Sequence, residues 1–195
     1  MTWVSENRLV SAISNAGGMG VIACGSMNPE QLEKEILLTK KLTNKPFGVN
    51  LILVHPELDL LIDKCVVTGV KFVVFAGGIP KKSYIEYLKN NGLKVIAFAS
   101  TLSIGKKLIK SGISALIIEG NEAGGHIGPV STNVLAQEIL PYITEVPVFV
   151  AGGIGRGESF LNYIQSGASG CQIGTRFVCA KESVAHDNFK NIFIK

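Results

Sequence analysis

One cadence constrains this chain more than any other feature: a helix ends, a glycine follows, and a short apolar run begins one or two residues later. Gly69 leads into VKFVV, Gly92 into LKVIA, Gly112 into ISALI and Gly167 into ASGCQ. A glycine just past a helix end takes up left-handed backbone without steric cost. Repeated helix–glycine–strand units mean repeated βα crossovers, and crossovers of that kind build parallel sheets. The expected strands are Gly20–Cys24, Phe47–Leu53, Phe72–Ala76, Val95–Ala99, Ala115–Glu119, Val148–Ala151 and Cys171–Phe177. Each is short, apolar and partly β-branched, as strands covered on both faces are. Between them run helical patterns: Asn28 and Pro29 read as an N-cap with proline at the first helical position. Leu32, Ile36 and Leu37 mark one helical face, as do Leu58, Ile62 and Val66, and Leu161 with Ile164.

Seven βα units suit a (β/α)8 barrel or an open doubly wound sheet. The units are regular, no strand-order reversal is apparent, and no GxGxxG opens the first helix. The barrel is therefore the expected fold, one strand short of eight, over residues 1–195 as a single domain. With 47% hydrophobic and 17% charged residues, disorder is excluded. A net charge of +4 gives little support to nucleic-acid binding. No apolar run approaches the roughly 20 residues that span a bilayer, and no signal peptide is apparent after Met1, so a soluble cytoplasmic protein is expected. Cys24, Cys65, Cys171 and Cys179 show no CxxC spacing, which argues against a metal site and for reduced thiols.

Glycines gather where strands end: Ala76-Gly77-Gly78, Gly120 to Gly128, Ala151-Gly152-Gly153-Ile154-Gly155, and Gln172-Ile173-Gly174-Thr175. In a barrel those ends share one mouth, and the loops after the last two strands commonly hold phosphate. Glycine lets backbone N–H groups close on a phosphate, so AGGIG and QIGT are the expected phosphate loops. His126 stands alone among the glycines after ALIIE, with Glu119 and Glu122 close in sequence. An imidazole there is the natural proton carrier. His55, before Pro56, and His186, in a polar stretch, are expected to be structural or solvent-facing.

Those motifs resemble the nitronate monooxygenase family, formerly 2-nitropropane dioxygenases, which includes FMN-dependent enoyl-acyl-carrier-protein reductases. The resemblance rests on MTWVS at Met1, SNAGGMG at Ser14, KPFGVN ending at Asn50, EGNEAGGHIG from Glu119, AGGI from Ala151 and QIGTRF from Gln172. The stretch from Thr175 through Ala185-His186 is nearest the enoyl reductase branch. The resemblance implies bound FMN, contacted by Met1, Asn50, Glu119, Gly124, Gly153, Gln172, Ile173, Gly174 and Thr175, with His126 catalytic. It implies NADH or NADPH as electron donor for a reductase, and O2 with a nitronate for a monooxygenase. A catalytically dead remnant is a third reading. Expected partners are a small-molecule or acyl-thioester substrate, an acyl carrier protein and a second copy of the chain; an acidic carrier would suit Lys81, Lys82, Lys106, Lys107 and Lys110, although lysines so placed are first of all expected on solvated helix faces. Met1 aligns with a methionine that follows the family's first barrel strand, and the family continues past Lys195. The chain is thus expected to lack the first strand and a C-terminal helical region, leaving open edges at the first and last strands, which invites aggregation.

Overall fold

The computed structural model describes residues 1–125 and 128–194. Seven strands form one sheet in chain order: β1 (Val21–Ala23), β2 (Gly48–Ile52), β3 (Phe72–Ala76), β4 (Lys94–Ala99), β5 (Ala115–Glu119), β6 (Val148–Ala151) and β7 (Gly170–Gln172). Every neighbouring pair is parallel. The helices are α1 (Asn7–Asn15), α2 (Pro29–Leu42), α3 (Leu58–Thr68), α4 (Lys82–Asn90), α5 (Leu102–Lys110), α6 (Thr132–Ile139), α7 (Gly157–Gln165) and α8 (Asp187–Ile194). An order of β1 to β7 without a reversal point rules out the doubly wound sheet. It is the order of an incomplete (β/α)8 barrel, with the sheet curled around its inner face.

Alternation along each strand separates two layers of side chains. Val49, Leu51, Val73, Phe75, Val95, Ala97, Leu116, Ile118 and Val150 join the helix faces in one large core. Val74, Ile96, Ala115, Ile117 and Ala151 form a second cluster inside the curl. Phe72, Phe98 and Phe149 pack on it while staying partly exposed. Leu32 and Ile36 of α2, Leu61 and Ile62 of α3 and Leu88 of α4 have at most 2% of their surface exposed. Burying each such side chain contributes about 1.5–3 kcal/mol.

Local chemistry sets the helix ends. Asn28 accepts from the Gln31 N–H at 2.8 Å and the Gln31 side chain accepts from the Asn28 N–H at 3.0 Å, a complete capping box with Pro29 behind it. Gly69, Gly92, Gly112 and Gly167 all have positive φ, as the cadence requires.

Three expectations need correction. The last strand is only Gly170–Gln172; Thr175–Cys179 winds into a 3-10 helix instead. Leu37 is 48% exposed, so α2 buries a narrower face than Leu32, Ile36 and Leu37 together suggest. Leu161 and Ile164 are 53% and 36% exposed, because β7 is short and α7 has no following unit to pack on among the described residues.

The edge at β1 is also less open than a missing neighbour implies. The Ala23 N–H donates to the Ser5 carbonyl at 3.1 Å and the Ser5 hydroxyl donates to the Val21 carbonyl at 2.8 Å. Residues 1–6 therefore strap the edge. Val4 and Leu9 then pack with Val178 of the 3-10 helix, joining the two ends of the sheet without a strand between them.

Candidate active site

The C-terminal ends of β5, β6 and β7 converge through glycine. Glu119 pairs in register with Ala151, and Ala151 with Gln172. The period of two along the strands turns all three toward the inside of the curl. Burial pushes the Glu119 carboxyl above its ordinary range, so it keeps a proton to higher pH than an exposed glutamate does.

Beyond Glu119 the chain loops out and returns: the Asn121 N–H donates to the Val130 carbonyl at 2.9 Å. Glu122 latches this loop onto α6. Its carboxylate accepts from the Thr132 N–H at 2.7 Å and from the Thr132 hydroxyl at 2.8 Å. Partial burial pushes the carboxyl up, but those hydrogen bonds outweigh it and the net displacement is downward. A Cβ on Gly120 would stand 2.1 Å from the Thr132 nitrogen, so only glycine lets the loop lie this close to the helix start. The sequence places Glu122 near His126 but carries no local signal for this latch, since Thr132 lies ten residues on and the N-cap of α6 is Ser131.

The β6 loop packs against the same segment. Gly152 and Gly153 have φ of +103° and +69°, and a Cβ on either would meet Ala123 or Glu122 at 3.0 Å. Gly153 is exposed, while Gly155 and Gly157 have nothing within 4 Å of a Cβ position. The N-terminus of α7 follows, with no side-chain cap. Uncapped N–H groups beside glycines with open space around them are the cradle a phosphate requires.

The other expected residues distribute around this cradle. Met1 reaches the β7 loop, its Sδ 3.6 Å from where a Gly174 Cβ would be. Trp3 beside it has φ of 62° and is 63% exposed, a strained conformation for a bulky residue at the rim. Gln172 and Thr175 are exposed and carry polar side chains. Ile173 packs on the sheet–helix core, which leaves its backbone for a ligand. Gly124 is exposed with free space at its Cβ position. Asn50 stands apart on β2, in register with Ala23 and Val74, and its carbonyl accepts from the Cys24 N–H and thiol. His126 lies outside the described residues. Burial holds the Cys24 thiol up at about 12 and Cys65 higher still, so neither is a nucleophile at neutral pH. No helix among the described residues is long and apolar enough to cross a membrane.

Comparison with known proteins places the whole chain in one family. The family model described as nitronate monooxygenase matches residues 1–61 and 57–195. A Rhodococcus jostii protein named (3aS,4S,5R,7aS)-5-hydroxy-7a-methyl-1-oxo-octahydro-1H-indene-4-carboxyl-CoA dehydrogenase is 37% identical, over 100% of this chain and 54% of that relative. The structure of FabK from Thermotoga maritima superposes with a TM-score of 0.96 at 41% identity, covering 100% of this chain and 62% of that one. Nitroalkane oxidase from Streptomyces ansochromogenes gives a TM-score of 0.92 at 26% identity, over 100% of this chain and 68% of that one. The chain spans about half the length of the Rhodococcus relative. With the whole chain matched by the family model, this protein belongs to the nitronate monooxygenase family.

Proposed function

We propose that the chain carries the FMN-binding and catalytic part of an oxidoreductase that reduces enoyl thioesters with electrons from NADH or NADPH. The observation that carries the reading is the packing of the β6 loop against the β5 loop. It holds Gly152 and Gly153 in left-handed backbone beside an open, uncapped helix start. Such a cradle fits the phosphate of a flavin mononucleotide, with Gly153, Gly174 and Thr175 offering backbone N–H groups and Thr175 a hydroxyl.

When bound there, FMN supplies two-electron hydride chemistry. The protein's own groups do the rest. Gln172 and Asn50 would hold the flavin ring through their side-chain amides. Glu119, with its carboxyl pushed up by burial, would present an oxygen from the same inner face. Met1 closes the side near Gly174. His126 carries the proton to or from the substrate carbon or oxygen, a role assigned from its place in EAGGH.

Two relatives support the thioester reading, beside relatives at 30–31% identity that are named as probable nitronate monooxygenases. The 41% identical FabK falls in the enoyl-acyl-carrier-protein reductase branch, and the 37% identical Rhodococcus protein is named for a carboxyl-CoA compound. The nitroalkane oxidase is 26% identical. The test is an assay of purified, FMN-loaded protein with crotonyl thioester plus NADH against a nitronate plus O2. Turnover of the thioester supports the reading, turnover of the nitronate alone replaces it with the monooxygenase, and neither substrate turning over makes the chain inactive by itself. His126→Ala should keep FMN and lose about 10²–10⁴-fold in rate. Gly153→Val should lose the yellow colour, because a branched side chain meets Glu122 and fills the cradle.

A further inference from the structure

A second concavity opens at the same end of the sheet, away from the glycine cradle. It is a cleft of about 290 Å³ between the loops that follow β2 and β3, lined by Leu53, His55, Ile79, Lys81 and Tyr84 among others. The two loops are joined by the Leu53 N–H donating to the Ala76 carbonyl at 2.9 Å. Leu53 lies just past Asn50, so the cleft adjoins the rim of the inner mouth on the β2 side. Its lining sets the apolar Leu53, Leu58 and Ile79 beside the polar His55, Asp59 and Lys81.

The polar half is arranged for an anion. The Lys81 ammonium sits 5.3 Å over the Tyr84 ring and has no carboxylate partner among the described residues. Its neighbour Lys82 is engaged by Glu86 at 3.3 Å. Lys81 also stands at the start of α4, where the helix dipole opposes a positive charge rather than favouring it. His55 accepts the Glu57 N–H on Nδ1 at 3.1 Å, which leaves the proton on Nε2 as a donor. The acid in the cleft, Asp59, lies close enough to Tyr84 to push its hydroxyl up. Two donors, one cationic, thus face a partly apolar slot beside the mouth.

We propose that this cleft seats the phosphate-bearing pantetheine arm of an acyl thioester, with Lys81 and His55 on the phosphate and Leu53 and Ile79 along the arm. The inference rests on the thioester reading of the function and adds where the carrier end of the substrate is held. The arm's flexible length is what would link a phosphate on the β2–β3 rim to an acyl group inside the mouth. Free coenzyme A and a carrier protein both present this arm.

Calorimetric titration of the 195-residue chain with 4'-phosphopantetheine and with pantetheine tests it directly, without turnover. The phosphorylated form should bind about 10-fold more tightly, as a charge-assisted contact gives. Lys81→Ala should erase that difference, His55→Ala should reduce it, and Lys82→Ala should leave it unchanged. Equal affinities in the unmodified protein, or a difference that survives Lys81→Ala, overturns the proposal. Tighter Lys81-dependent binding of a phosphopantetheinylated carrier protein than of coenzyme A identifies the carrier as the source; equal binding identifies the coenzyme. In kinetics, Lys81→Ala should raise KM for crotonyl-CoA with little change in kcat and leave crotonyl-N-acetylcysteamine, which lacks the phosphate, unaffected. Thioester turnover indifferent to Lys81 removes the cleft and keeps the proposed function. Lys81-dependent phosphopantetheine binding by a chain that reduces no thioester does the reverse.

Discussion

The two ends of the sheet are finished in different ways. At the β1 end, α1 is fixed to α2 at both extremities. The Asn7 backbone and side-chain N–H groups donate to Glu35 at 3.0 and 2.8 Å, and the Asn15 side chain donates to the Leu42 carbonyl at 3.1 Å. Leu9 and Val10 of α1 are buried, and Ser5 straps the strand edge. At the β7 end, neither α7 nor α8 buries a single residue fully. α8 is held by polar contacts: Lys190 donates to the carbonyls of Ala180 and Ser183 at 3.1 and 2.9 Å. Its Ile192 and Ile194 are 71% and 68% exposed. A βα unit buries its helix only when packed on both sides. The first end meets that condition with a helix and a strap, and the last end does not meet it.

Substitutions at matched places should expose the asymmetry in urea denaturation. Leu9→Ala removes a side chain with 2% exposure and should cost about 2–5 kcal/mol. Ile192→Ala at the other end should stay within about 0.5 kcal/mol. Equal losses at the two positions would mean that α8 belongs to the cooperative core after all. The glycines make a second pair. A Cβ on Gly20 would lie 2.2 Å from the Val10 carbonyl oxygen, so Gly20→Ala must push α1 off the sheet, at about 1–3 kcal/mol. Gly174→Ala meets only Met1 Sδ at 3.6 Å and should be nearly neutral for stability. Ser5→Ala deletes one hydrogen bond of the strap and should cost about 1 kcal/mol.

The same asymmetry marks how far the sequence could be read. The helix–glycine–strand cadence located β3, β4, β5 and β7, and short apolar, β-branched runs located β1, β2 and β6, because a buried parallel strand and a left-handed glycine are both local signals. Gly69, Gly92, Gly112 and Gly167 mark the four helix ends. The pairing of Glu119, Ala151 and Gln172 follows once the strands are in order. What escaped were contacts between distant segments: Ser5 on β1, Glu122 on Thr132, and Met1 beside Gly174. No periodicity encodes those. The end of β7 departs from the expected strand for a related reason. CQIGTRF is apolar enough for a strand, but from Thr175 on it turns into a 3-10 helix that packs its Val178 on Val4 and Leu9, a contact with the far end of the chain. Leu161 and Ile164 have helical spacing but no neighbour to bury them.

The smallest expected effect concerns Glu119, which lies on the inner face between the two ends. Its carboxyl is displaced upward by burial from an ordinary 4.5. A carboxyl with a raised folded value binds its proton more tightly in the folded state than in the unfolded one. That preference stabilises the fold fully below 4.5 and is lost as pH climbs through the raised value. At neutral pH the ionised group is therefore a burden. Glu119→Gln removes the charge, keeps the shape and the hydrogen-bonding oxygen, and should raise the thermal midpoint at pH 7. The gain should shrink as the pH is lowered and vanish once the unmodified Glu119 is protonated in both states. Thermal scans of the two proteins from pH 4 to pH 8 measure it. A gain that is constant with pH would assign the effect to packing. A loss at pH 7 would mean that the ionised carboxylate is stabilised on the inner face. Adding FMN to the same scans separates stability from binding. If Glu119 hydrogen-bonds the flavin edge, the stabilisation that saturating FMN confers should survive in the glutamine variant, whose amide also hydrogen-bonds, and should weaken in Glu119→Ala, which has nothing to offer.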